Sequence, residues 1–418
     1  MKKYLLLLVI LLGFHSAWAH YVEVDGIRYS LNDVNKTATV CAKVRASDNT
    51  LRLDYSGDVV IPEMVNVDDV TYSVTELSGL CFKNCINLQS ITIPNTITKF
   101  GNSCFKGCRS LTSITIPNSV TSIENYCFYG CSNLSSIIIP SSVTNLGSFC
   151  FANCPNLESI KIDIENPVYD SRNNCNAIIK TESNQLLTGC KNSIIPNSVK
   201  SLEDGCFRGC SGLITIVIPN SVTNIGTSCF YGCSSLTSIT ISDSITSLKG
   251  ECFKDCSSLT SISIPNSVTS LGESCFLGCS SLNTISIPNS VTSLGESCLL
   301  GCSSLTSITI PNSVTSLGEY CFRGCSSLKT VTIPNSVRNL EDGCFRGDSS
   351  LTSITIPNSI TSLGEYCFDG CTSLTSITIP NSVISLGNSC FENCRSLTSI
   401  SIPNSVISLG NSCFRICI

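Results

Sequence analysis

Along residues 305–327 the chain reads LTSITIPNSVTSLGEYCFRGCSS, and the apolar positions change period as it proceeds. Ile308 and Ile310 alternate with Ser307 and Thr309. That two-residue period, carried by β-branched side chains, predicts a short strand with both isoleucines on one face. Pro311 has no N–H to give a ladder, so the strand ends there and Pro-Asn-Ser turns the chain. Val314 and Leu317 re-enter an interior, and Gly318 permits a tight bend. Cys321, Phe322 and Cys325 fit a short helical or 3₁₀ turn, because residues four apart share a face. A segment of this size cannot bury Leu305, Ile308, Ile310, Val314, Leu317 and Phe322 alone. Copies stacked in register can.

The copies are present. Cys-Phe recurs at Cys81, Cys104, Cys127 and Cys150, then at Cys206, Cys229, Cys252, Cys275, Cys298, Cys321, Cys344, Cys367, Cys390 and Cys413. Within each run the spacing is 23 residues, and only Leu299 breaks the phenylalanine column. Strands stacked at ~4.8 Å give a parallel sheet along one side of a solenoid. The expected fold is therefore a solenoid of 23-residue units, β-rich, with a parallel sheet on one face, short 3₁₀ or helical turns and little regular α-helix.

The pattern LxxIxIPxSVxxLGxxCFxxC resembles the BspA-like leucine-rich repeat family over roughly residues 56–418, with Leu305, Ile308 and Ile310 at the leucine-rich consensus positions. Family members commonly carry Ala where this chain has Cys before Phe, which makes its cysteines unusual. The resemblance implies an adhesive role at the cell surface. It also implies that the outward strand positions line a concave face where partners bind.

Several stretches depart from the unit. Met1-Lys2-Lys3, the apolar residues 4–14 and Ala17-Trp18-Ala19 read as a secretory signal peptide over 1–19, cleaved after Ala19. Residues 20–55 alternate around an Asp25-Gly26 turn and are expected to form a β-rich N-terminal cap. Pro62 lies 19 residues before Cys81, against 10 from Pro94 to Cys104, so nine residues are inserted there. Residues 163–195 read as one enlarged repeat with a protruding hairpin. The chain stops mid-unit at Cys413-Phe-Arg-Ile-Cys-Ile418, so either it is truncated or a partner covers that end.

Composition narrows the chemistry. With 30 cysteines and 13% charged residues the chain first suggests a disulfide scaffold, yet the repeat already supplies a continuous core. Two readings of the Cys-Phe-x-x-Cys columns stay open: small buried hydrophobes packed beside Phe, or inter-coil disulfides favoured by export. Zinc fits poorly, because ribbons use C-x₂-C pairs and the spacing here is C-x₃-C. A net charge of −5 supplies no basic stripe for nucleic acid. After cleavage, His20 would be the sole histidine, so Ser-His-Asp and Cys-His catalysis are excluded. No catalytic residue, cofactor or metal site is expected, and no membrane insertion after signal cleavage. The acidic column Glu273, Glu296, Glu319, Asp342 and Glu365 offers one carboxylate per unit, too few oxygens for calcium, and reads as a solvated edge.

What remains is a surface. Thr92, Thr115, Thr240, Ser263, Ser286, Thr309, Thr332, Thr355, Thr378 and Ser401 occupy the outward strand position, with Val217 in the same column. The expectation is a secreted or cell-surface adhesion scaffold that binds extracellular or host proteins or glycans through these hydroxyls. The competing expectation is an exported structural or envelope protein with no specific ligand.

Overall fold

In the computed structural model, described over residues 20–43 and 55–417, the chain is a parallel β-solenoid of 23-residue coils. The signal-peptide residues 1–19 lie outside the described residues. Two compact units are distinguished, Met1–Phe128 with Ser142–Cys150, and Tyr129–Ser141 with Phe151–Ile418. The sole helical segment among the described residues is a three-residue 3₁₀ turn, Arg172–Asn174.

Each coil of the second unit closes through three sets of inter-coil hydrogen bonds. The first is the ladder expected from the Ile alternation: Ser307–Thr309, Thr330–Thr332, Ser353–Thr355 and Ser376–Thr378 pair in parallel, with Ile308 opposite Val331 and Val331 opposite Ile354. Ile308 and Ile310 are buried while Ser307 and Thr309 are exposed. The second ladder was not foreseen. Ser247–Leu248, Ser270–Leu271, Ser293–Leu294 and Ser316–Leu317 form a further parallel sheet only two residues wide. Two residues are too few to show a period, so the sequence revealed Leu317 as a core residue without its strand.

The third side is the Cys-Phe turn, where alternate N–H groups point in different directions. Cys321, Arg323 and Cys325 donate within the turn to the carbonyls of Gly318, Tyr320 and Phe322. Tyr320, Phe322 and Gly324 donate instead to Asp342, Cys344 and Arg346 of the next coil, at 2.8, 2.9 and 2.8 Å. The bonds inside the turn are of the 3₁₀ type, but Tyr320 (φ 55°) and Gly324 (φ 74°) are left-handed. This alternation re-aims every second N–H along the solenoid and prevents a helix from propagating.

Gly318 serves close approach rather than a left-handed bend. A Cβ there would fall on the backbone nitrogen of Glu296 in the preceding coil. The core between the ladders holds the six predicted apolar positions together with the column cysteines, Asp348 standing in for one of them. Phe207, Phe230, Phe253 and Phe276 stack nearly parallel at 5.3–5.5 Å, as do Phe322, Phe345, Phe368, Phe391 and Phe414 at 5.3–5.6 Å, with Leu299 between the two runs. All 30 cysteines are present as thiols, and only Cys41 and Cys417 are not fully buried.

In the first unit, β1 (His20–Val24), β2 (Ile27–Asn32) and β3 (Thr37–Cys41) form an antiparallel sheet. A short strand, β4 (Gly57–Val60), follows. The nine inserted residues are accounted for by a hairpin of β5 (Met64–Val67) and β6 (Val70–Leu77), turned by left-handed Asp68 and Asp69. Because β3 pairs in parallel with β6, and β6 with Lys99–Phe100, these strands extend the second ladder. β4 pairs with β7 (Leu88–Thr92) and opens the first ladder. Within 163–195, an antiparallel hairpin joins Ala177–Lys180 to Gln185–Gly189, with Ala177, Ile178, Ile179 and Leu186 all buried. Its second strand pairs with Ser201–Leu202, so the hairpin starts the second ladder of its unit.

Candidate functional site

Alternation on the first ladder points the Thr309 position outward in each coil, and in most coils Ser or Thr fills it. In the second unit Ser263 stands opposite Ser286, and Thr309, Thr332, Thr355 and Thr378 follow one another in register, with Ser401 bridged to Thr378. Thr240 pairs with Val217. In the first unit Thr92 ends β7, and Thr115 lies just beyond any named strand. All ten predicted positions are exposed. The structure also shows aliphatic residues in this column, Ile138, Ile194 and Val217, together with Lys161. The irregular spacing of the enlarged repeat hid Ile194; the signal that could have found it is the shared Ile-Pro-Asn-Ser ending at Ile195–Ser198.

Hydroxyls at several other ranks are used by the solenoid itself, although those of the corner serines Ser221, Ser359, Ser382 and Ser405 are buried without a partner and the Ser307 position is exposed. At the corner after Pro, Ser290 and Ser313 donate to the carbonyls of Val268 and Val291 at 2.5 and 2.7 Å. One rank further on, Thr292 and Thr315 donate to Thr269 and Thr292, both at 3.3 Å. After the Cys turn, Ser303 and Thr372 donate to Ser280 and Ser349, again at 3.3 Å. The ten outward strand hydroxyls differ. Among the described residues none of them bonds to another protein group, so they present donors and acceptors to whatever lies outside.

The cysteine columns lie in the core rather than on this face. In the second column the thiols of Cys233, Cys256, Cys279 and Cys302 donate to the carbonyls of Phe207, Phe230, Phe253 and Phe276 at 3.1–3.3 Å. At Cys413 the hydrogen bond with Cys390 lowers the pKa, but burial pushes most of these thiols away from ionisation, Cys298 and Cys394 up to about 12. A thiolate nucleophile or metal ligand needs the opposite shift. Among the described residues no group of three or more His, Cys, Asp or Glu side chains is placed to hold a metal ion. No helix among them is long and apolar enough to cross a membrane.

The acidic edge is partly spent on the backbone. The Asp342 carboxylate accepts the N–H of Glu365 at 2.7 Å, as Asp204 does from Thr227 at 2.7 Å. Asp348 is a different matter. It replaces the second cysteine of its coil, is fully buried, and neither carboxyl oxygen has a hydrogen-bond partner. Desolvation raises its pKa well above the usual carboxylate range, opposed only by the nearby backbone of Cys325 and Gly324.

The BspA type leucine rich repeat region, in six copies, matches residues 66–178, 177–306 and 292–418. This chain belongs to the BspA-type leucine-rich repeat family. A leucine-rich repeat protein from Bacteroides ovatus is 27% identical over 95% of this chain and 92% of its own, with a TM-score of 0.51. A leucine rich cell surface protein from Faecalibacterium prausnitzii is 25% identical over 69% of this chain and 93% of its own, with a TM-score of 0.46. The pneumococcal vaccine antigen PcpA is 16% identical over 94% and 98%, with a TM-score of 0.49. No curated protein matches.

Proposed function

We propose that this BspA-type protein is a non-enzymatic adhesion scaffold, exported to the cell surface or beyond, that binds extracellular proteins or glycans through the outward face of its first ladder. One observation carries the reading. Thr240, Ser263, Ser286, Thr309, Thr332, Thr355 and Thr378 spend no hydroxyl on the solenoid, while Ser313, Thr315 and Ser303 of the other ranks do. Polar groups repeated at coil spacing suit an extended, repetitive partner, which many weak contacts hold by avidity. The basic and apolar segments of residues 1–19 support export, and N-terminal sequencing of the secreted protein should begin at His20.

The test is binding of the purified chain to immobilised matrix proteins and glycan arrays, alongside a Thr332→Ala/Thr355→Ala variant. Binding that drops in the variant supports the scaffold. No binding to any of them, with the variant behaving like the parent, would leave an exported structural repeat protein without a ligand.

A further inference from the structure

Three departures from the repeat meet in neighbouring coils of the second unit. The outward place of Thr309 is taken by Ile194 in one coil and by Val217 in the next, and the place of Thr306 by Ile214; they are 69%, 62% and 61% exposed. On a sheet face lined mainly by Ser and Thr in the coils that follow, these aliphatics form an apolar patch that the core does not require. At the following corner Pro-Asn becomes Ser242-Asp243. Ser242 accepts the N–H of Ser244 at 3.0 Å and so retains the turn without proline. Asp243 is exposed, and among the described residues its carboxylate has no ion-pair partner, where the coils on either side carry a neutral Asn. Val217 and Thr240 lie side by side in the ladder. With Asn197, Asn220 and Asp243 they line an open cleft of about 660 Å³.

We infer that this cleft is a docking subsite for an extended peptide carrying an aliphatic side chain beside a lysine or arginine. The inference rests on reading the sheet face as a binding surface and narrows it to one ligand class. Val217 and Pro219 supply an apolar wall for the aliphatic side chain and for the methylene stem of the cation. Asp243 supplies the single charge that complements its head. The carboxamides of Asn197 and Asn220 and the hydroxyl of Thr240 each both donate and accept, as a peptide backbone needs. No aromatic ring lines the cleft, so a sugar face has nothing to stack on.

The probes are two labelled peptides, Gly-Ser-Val-Lys-Val-Ser-Gly and the same sequence with Glu for Lys, followed by fluorescence anisotropy against the full chain up to about 1 mM. The Lys peptide should bind at least about fivefold more tightly than the Glu peptide, the difference shrinking as salt is added. Asp243→Asn and Val217→Thr should each weaken it by about three- to fivefold. Both substitutions install the residue that other coils carry at that place, so the fold is retained. Glu296→Gln, which removes a charge from the acidic edge away from the sheet face, should leave it unchanged.

Equal binding of the two peptides, no binding of either, or indifference to Asp243→Asn overturns the inference. So does glycan binding that Val217→Thr removes while neither peptide binds. Matrix-protein binding that falls with Thr332→Ala/Thr355→Ala but ignores Asp243→Asn would reject this subsite and keep the wider proposal.

Discussion

The Cys279 thiol donates to the carbonyl of Phe253, 3.1 Å away in the preceding coil. That carbonyl also accepts the N–H of Cys256 at 3.1 Å, so its two lone pairs serve its own turn and the next. The second cysteine is thus both a small buried hydrophobe and the donor that ties one turn to its neighbour. Cys279→Ala should lower stability by about 1–2 kcal/mol through the lost donor and the space left behind. Cys279→Ser keeps a donor and should differ from Ala in the exchange protection of the Phe253 turn. Hydrogen exchange resolved by coil checks both, since an array of this kind need not unfold in one step.

Two glycines of the same coil should respond differently to alanine. Gly324 holds φ 74° and a Cβ there would meet only the backbone of Gly301 at 3.8 Å, so Gly324→Ala costs only the left-handed conformation, about 1 kcal/mol. Gly318→Ala would drive its Cβ into the backbone of Glu296 and force adjacent coils apart. A fall in thermal midpoint several times larger for Gly318→Ala than for Gly324→Ala is the expected result.

Leu299 separates two phenylalanine stacks and is itself fully buried. Its N–H bonds to Cys321 at 2.8 Å, matching the Phe322 to Cys344 bond, so the backbone already has the geometry that phenylalanine occupies elsewhere. Leu299→Phe should join the stacks and raise stability by about 1 kcal/mol, read by thermal or chemical denaturation.

Asp348 makes stability depend on pH. Its folded-state pKa is raised, so the folded protein retains a proton that the unfolded chain loses near pH ~4. Stability from this group is fully present below about pH 4 and declines as pH rises toward the folded value, at up to about 1.4 kcal/mol per pH unit. Asp348→Cys restores the thiol column. It should abolish that decline and leave the protein more stable than its parent at pH 7, as denaturation at pH 5 and pH 8 will show.

The coil was legible because its apolar residues recur at a fixed 23-residue spacing; Ile308, Ile310 and Phe322 stand where alternation and periodicity put them. The second ladder was not, because Ser316–Leu317 is shorter than any pattern that could announce it. Nor were the left-handed residues before the first cysteine. Tyr320 and Ser297 are not types that favour φ near 55°, and only inter-coil hydrogen bonds hold them there. The hydroxyl face was legible as a column of exposed positions. That its hydroxyls are unspent, unlike those of Ser313 and Thr315, depends on carbonyls in other coils and became visible only in three dimensions.

The claim that the cysteines are core packing rather than cross-links is tested most directly by counting thiols. Denatured without reductant, the chain should titrate 30 thiols; folded, only Cys41 and Cys417 should react promptly with a thiol reagent. A denatured count far below 30 would mean that the columns are joined by disulfides, and would contradict the thiol-to-carbonyl ladder on which the coil-to-coil account depends.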